Sequence, residues 1–316
     1  MPDTITAADA PGAPTPPVEA TGGIPVKAEK PRSLWSDAWY DLRRNPIFVI
    51  SGVLILIILT VAVAPGLFTG TSPRDGDLVH HFLSNPKLTH FFKDDWFGYD
   101  NQGRSVYART VFGARASVIV GVLTTLLSTV VGGLVGMLAG YFGGWIDAVL
   151  SRLVDVFFGI PFLLGSLVVL NAFSERSPLI VSLSLAFLGW TQTARVMRGS
   201  VISVKQADYV HAAQALGAGT PRILFRHILP NAVAPVIVVS TISLGAYISA
   251  EATLSFLGIG LQDPTVSWGI DIDSATAVIR NDPHVLFFPA IALSITVLAF
   301  IMLGDAVRDA LDPKLR

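Results

Sequence analysis

Six long apolar runs alternate with polar segments along the chain, at about residues 47–64, 116–142, 148–173, 177–199, 231–257 and 285–304. A helix needs roughly 17–25 predominantly apolar residues to cross a bilayer, and each run meets that length. They predict an all-α polytopic membrane protein with six transmembrane helices. The third and fourth runs are the least uniform, with Asp155, Glu175 and Arg176 at their edges and prolines at 161 and 178. Proline is tolerated at membrane depth because neighbouring groups re-satisfy the carbonyls it frees.

Composition points the same way. The chain is 52% hydrophobic and only 14% charged, against roughly 25% charged in ordinary soluble domains. A net charge of −1 gives no reason to expect nucleic acid as a partner. The absence of cysteine excludes disulfides, thiol nucleophiles and Cys-ligated zinc.

Lys and Arg collect on the cytoplasmic side of membrane spans. Lys27, Lys30, Arg32, Arg43 and Arg44 precede the first run, and Arg195, Arg198, Lys205, Arg222 and Arg226 face Asp208 alone around the gap between the fourth and fifth. After the fifth run come Asp263, Asp271, Asp273 and Asp282 with one Arg. This contrast predicts an N-in/C-in topology with segment 200–229 in the cytoplasm. Loop 65–115 falls outside; its six basic and five acidic residues do not themselves discriminate.

Residues 1–32 are rich in Pro, Ala, Gly and Thr without apolar periodicity and read as a disordered cytoplasmic tail. No signal-peptide core is expected there, so the first span would act as an uncleaved signal-anchor. Over 33–46, Leu34, Trp35, Ala38, Trp39 and Leu42 fall at helical spacing, as in an amphipathic helix lying in the cytoplasmic interface. Residues 47–316 read as a transmembrane domain.

Segment 200–229 is polar but built to fold. Gln206–Leu216 has few helix breakers, and Gly217 suits a left-handed stop. Thr220 offers an N-cap oxygen and Pro221 a pre-set first turn. Pro230 interrupts the next helix. A short helix pair held outside the bilayer is a docking surface for a cytosolic partner.

The spacing of Ala212-Ala213, Gly217 and Leu229-Pro230 resembles the coupling-loop signature of ABC importer permeases. That signature reads Glu-Ala-Ala, three residues, Gly, nine residues, Ile, one residue, Leu-Pro. His211 stands at the Glu position and His227 at the Ile position; Asp208, three residues before His211 and on the same helical face, is a substitute carboxylate. Gly98, Asp100, Gly103 and Arg104 resemble the Gly-Thr-Asp, two residues, Gly-Arg-Asp block of the dipeptide/oligopeptide/nickel branch, with Tyr99 and Ser105 departing. Tyr141-Phe-Gly-Gly-Trp145 with Asp147 resembles the turn between that branch's second and third spans. Glu251-Ala-Thr-Leu-Ser-Phe-Leu-Gly258 with Ser267-Trp-Gly269, and Leu303 to Pro313, resemble its last two blocks. The likeness covers about residues 33–313 and is closest to the C-type subunit of dipeptide permeases.

The resemblance implies the type I importer architecture and a transport subunit, not an enzyme, in the bacterial inner membrane. Its substrates would be di- or oligopeptides, or alternatively a nickel complex, glutathione or haem. It implies a second permease subunit as heterodimer partner, two ATPase subunits or one fused ATPase, an extracytoplasmic solute-binding protein or lipoprotein, and membrane lipid. The chain has no G-x-x-x-x-G-K-[ST], H-E-x-x-H or G-x-S-x-G, so no bound cofactor is expected here; ATP and Mg belong to the partner ATPase subunits. An H⁺- or Na⁺-coupled secondary transporter is the rival from another class. It would want buried mid-span carboxylates, whereas the chain has four Glu and no mid-depth relay. An intramembrane enzyme would need a nucleophile and base convergent within the spans, and no His lies in the central runs.

Residue expectations follow. Asp208, His211, Ala212, Ala213, Gly217, Arg222, Leu229 and Pro230 form the ATPase-coupling loop. Gly132, Gly136, Gly140 and Gly144, each four apart, form a close-packing helix seam. Asp100, Arg104 and Glu251 are outer-face or pathway candidates, Glu251 first as structural support. Arg152 and Asp155 pair within one helix. His80, His81 and His90 lack carboxylates at ligand spacing and read as solvated, with no metal site.

Overall fold

The computed structural model describes residues 39–311. The expected tail 1–32, the first part of the expected interfacial helix and the end of the closing block lie outside them. Among the described residues the regular elements are helices, joined by turns and irregular loops, with two isolated bridges, Gly76 with Arg104 and Tyr99 with Ser105. The principal helices are α1 (Pro46–Val63), α2 (Val106–Phe142), α3 (Gly144–Phe158), α4 (Phe162–Asn171), α5 (Pro178–Lys205), α6 (Asp208–Ala215), α7 (Ala234–Phe256), α8 (Trp268–Ala275) and α9 (His284–Leu311). Five of them, α1, α2, α5, α7 and α9, are long and apolar enough to cross a membrane, and α3 with α4 supplies a sixth crossing if that pair is one span.

That pair departs from the single helix expected over 148–173. It is bent by 86° between Phe158 and Phe162. Pro161 has no N–H and disfavours helical geometry at Ile160, so the helix ends at Phe158 and restarts beyond the proline. Helix α2 also departs, starting well before the apolar run at 116. Ser105 caps it, its hydroxyl accepting from the Ala108 N–H at 3.2 Å. Its first turns, Val106 to Val111, are buried although they include Arg109 and Thr110, polar residues that hide them from a hydropathy reading.

Helices α2 and α5 pack most intimately. In lipid there is little hydrophobic drive between helices, and close backbone approach through small residues replaces it. A side chain at Gly132, Gly136 or Gly140 would collide with the carbonyls of Trp190, Ala194 or Arg198 on α5. Gly144 does not share this face: nothing lies near it. Gly143 and Gly144 adopt φ of 66° and 55° where the chain turns from α2 into α3, so the four-residue register ends with α2. A second cluster joins α1, α2, α7, α8 and α9 through Ile55, Val118, Ile248, Trp268 and Phe300. Polar stitches cross between helices at Thr129–Ser240 (2.7 Å) and from the Trp268 indole to the Thr110 carbonyl (2.8 Å).

Candidate functional site

The elbow between α5 and α7 gathers the eight loop candidates. Helix α6 stops at Leu216, and Gly217 takes φ 79°, a conformation only glycine adopts freely. The N–H groups of Gly217 and Ala218 bond back to Gln214 and Ala213 at 2.9 and 3.0 Å. The following turn, Thr220–Arg222, has Gly219 as its N-cap and no side-chain cap bond. Thr220 is therefore its first residue and not its cap: extended Gly219 lets the chain enter the turn one residue early.

Residues Ile223–Ile228 are π-helical, closed by the Leu229 N–H bonding to the Leu224 carbonyl, before a short turn Leu229–Ala232 leads to α7. Pro230 would clash with a carbonyl in a regular α-turn, and the wider π-turn accommodates it.

The elbow is fixed by an apolar plug. Val210, Ile223, Leu224 and Ile228 are buried against Met137 of α2, Met197 and Val201 of α5 and Val236 of α7. Asp208, His211, Ala212, Gly217, Arg222 and Pro230 remain exposed, with Ala213 and Leu229 half-buried. The sequence reading missed Tyr209 and Leu216, which stand 45% and 88% exposed beside them. Their signal was an apolar residue on the outward side of an otherwise polar segment.

Behind the elbow, ion pairs tie α3 to α5. Asp147 accepts two bonds from Arg198 at 2.5 and 2.6 Å, and Asp155 pairs with Arg195 at 2.8 Å. Arg195, not Arg152, is thus the partner of Asp155, because α3 packs alongside α5. Lys205 donates to the Tyr141 carbonyl at 2.6 Å, linking the base of α5 to the end of α2.

At the opposite end, the outer-face candidates are interior. Asp100 and Arg104 are buried against each other at 2.7 Å. Arg109 donates to Asp271 of α8 through Nε at 2.7 Å and also through Nη2, and it reaches the Pro73 carbonyl at 3.1 Å. Burial pushes the Asp271 carboxyl up and Arg109 pulls it back. Glu251 is fully buried and accepts hydroxyl bonds from Ser117 (2.7 Å) and Ser255 (2.8 Å). Ser255 in turn accepts from the Leu261 N–H at 3.0 Å. All three candidates brace helices and loops, and Asp100 borders only a small crevice shared with Arg109 and Asp271.

Two of the three histidines do find carboxylates, His80 meeting Asp77 at 2.8 Å and His90 meeting Asp95 at 2.9 Å, while His81 stacks on Tyr99. No cluster of three metal-type ligands occurs among the described residues.

Comparison with known proteins agrees along the chain. Residues 132–316 match the family described as binding-protein-dependent transport system inner membrane component. Residues 33–86 match the N-terminal transmembrane domain of oligopeptide transport permease C. The oligopeptide transport system permease protein OppC of Bacillus subtilis is 35% identical over 301 residues, 95% of this chain and 96% of that one. The dipeptide permease protein DppC of the same organism is 39% identical, covering 90% and 87%. The glutathione permease protein GsiD of Salmonella typhimurium is 38% identical, covering 92% and 94%. The chain belongs to the binding-protein-dependent inner-membrane components and is a multi-pass, non-catalytic permease subunit of an ABC importer, in the dipeptide/oligopeptide branch.

Proposed function

We propose that this subunit imports di- or oligopeptides handed over by an extracytoplasmic binding protein, with both termini and the elbow in the cytoplasm. The observation that carries the coupling role is the elbow itself: an exposed polar and apolar face on a plug anchored to three spanning helices. The basic residues around it support the cytoplasmic placement.

A second permease subunit would complete the pathway. Two ATPase subunits, or one fused ATPase, would hold ATP and Mg and press on Asp208–Pro230. Because the plug touches α2, α5 and α7, and α5 is paired with α3 through Arg195 and Arg198, such a push reaches the broken helix. A two-state rearrangement biased by nucleotide would follow. Glutathione, itself a small peptide, is the second reading, favoured by the likeness to the glutathione permease.

The test is uptake of radiolabelled dialanine and of glutathione by cells with and without this chain. Dialanine uptake should require the chain. It should fall at least about tenfold when Gly217→Val forces a branched side chain into a left-handed turn. Undiminished dialanine uptake without the chain overturns the reading.

A further inference from the structure

We infer that a cavity at the end of the molecule opposite the elbow holds the headgroup of an anionic phospholipid, whose acyl chain runs down an exposed face of α2. This goes beyond the transport role and does not rest on the peptide substrate.

The cavity measures about 450 Å³ and lies between segment 72–74, α2, the start of α5 and segment 265–266. Arg74 and Arg115 both line it, and no Asp or Glu does. Arg74 donates through Nε to the Pro264 carbonyl at 3.1 Å, which steadies its guanidinium without neutralising it. Arg115 is exposed on α2. Among the described residues neither arginine makes an ion pair, not even with Asp75 or Asp263, the acids nearest in sequence to this wall. Two uncompensated guanidinium groups on one concave wall suit a phosphodiester, which an arginine can meet through two parallel N–H bonds.

The depth is that of lipid headgroups. Below Arg115, the exposed residues Ile119, Val122, Leu126, Val130, Leu134 and Leu138 continue its line at spacings of three and four. From Ile119 to Leu138 the helix rises about 30 Å, the thickness of the hydrocarbon core. Arg115 therefore stands one turn beyond that core, where phosphates lie. Between Ile119 and Leu138 every exposed residue of α2 is Ile, Val or Leu. Helix interfaces in membranes use small residues, as α2 does at Gly132, Gly136 and Gly140 against α5. The exposed stripe has none, a composition that fits acyl chains better than another backbone. One leaflet is half the core, so a tail attached at Arg115 lies along Ile119, Val122 and Leu126. A molecule with a negative head and a hydrocarbon tail satisfies both the cations and the stripe. With no acid on the wall, a zwitterionic headgroup would bring its amine against arginine, so net negative charge is favoured.

The assembled importer in phosphatidylcholine nanodiscs is given a trace of phosphatidylglycerol carrying a diazirine midway along one acyl chain. It is irradiated, digested and mapped by mass spectrometry. Label should concentrate on residues 119–130 and exceed that from a phosphatidylcholine diazirine probe at least about fivefold. Arg74→Gln with Arg115→Gln should abolish the preference, while Arg115→Lys alone should keep most of it. Unlabelled phosphatidylglycerol should displace the probe and inorganic phosphate should not; displacement by phosphate makes this a free-anion site and overturns the inference. Equal labelling by the two probes in the unaltered chain marks ordinary surrounding lipid and overturns it without any variant, as does a preference that survives in the double variant. If α2 takes no label in the assembled importer, another subunit covers the stripe; if dialanine removes the label, the cavity is a substrate site. Either result sinks the lipid assignment.

Discussion

The two ends of the molecule are held by opposite physics. At the cap end, Asp100, Arg104, Arg109 and Asp271 are buried together, locking loop 65–105 and α8 onto α2. At the elbow end the buried contacts are aliphatic and the charges face outward. Buried ion pairs fix geometry but collapse expensively when one partner goes. An apolar plug tolerates small losses and leaves the polar face free to engage something else. The cap suits a rigid platform, and the elbow a part that must transmit force.

The largest effect should come from breaking the cap. Arg109→Met leaves Asp271 buried with no cation at hydrogen-bond distance and should lower stability by about 3–5 kcal/mol. Asp271→Leu in the same chain should recover most of it; thermal unfolding in detergent micelles reads both. The elbow should lose less. Val210→Ala should cost about 1–2 kcal/mol, visible as faster proteolysis within 206–222 while the melting temperature barely moves. Equal losses at both ends would remove the contrast.

The smallest effect should be a pH response confined to loop 87–97. Partial burial pushes the Asp95 carboxyl up, but Lys87 and His90 outweigh it and hold it below its ordinary value of 3.8. A depressed carboxylate stabilises above its unfolded value, and that stabilisation fades as pH falls through the folded one. Trp96, packed on Phe91, Phe92, Phe97 and Tyr107, should report local loosening only below about pH 4. Asp95→Asn should remove the transition.

The helical class and the elbow were legible because their signals are local: long apolar runs, a glycine after a polar helix, a Leu-Pro pair. The break at Pro161 was visible as a proline, but its 86° bend depends on what α5 and α7 leave open. The buried charges were not legible. Arg109 and Asp271 lie 162 residues apart, and nothing local tells a paired interior Arg from a solvated one. Glu251 was read as support, yet Ser117, its partner on α2, lies 134 residues away. Gly144 failed by register, since spacing by four persists in sequence after the helix that gives it meaning has ended.

The π-turn at Ile223–Ile228 acts as a phase shifter. One additional residue per turn offsets all that follows by about 100° around the helix axis. Deleting exposed Phe225 would remove the surplus residue and let the segment close as a regular α-turn with Ser243 and Tyr247 still facing their present neighbours, whereas forcing α geometry on the full-length segment would swing both away. The orientation of α7 at mid-depth is thus set by a single surplus residue roughly twenty positions upstream.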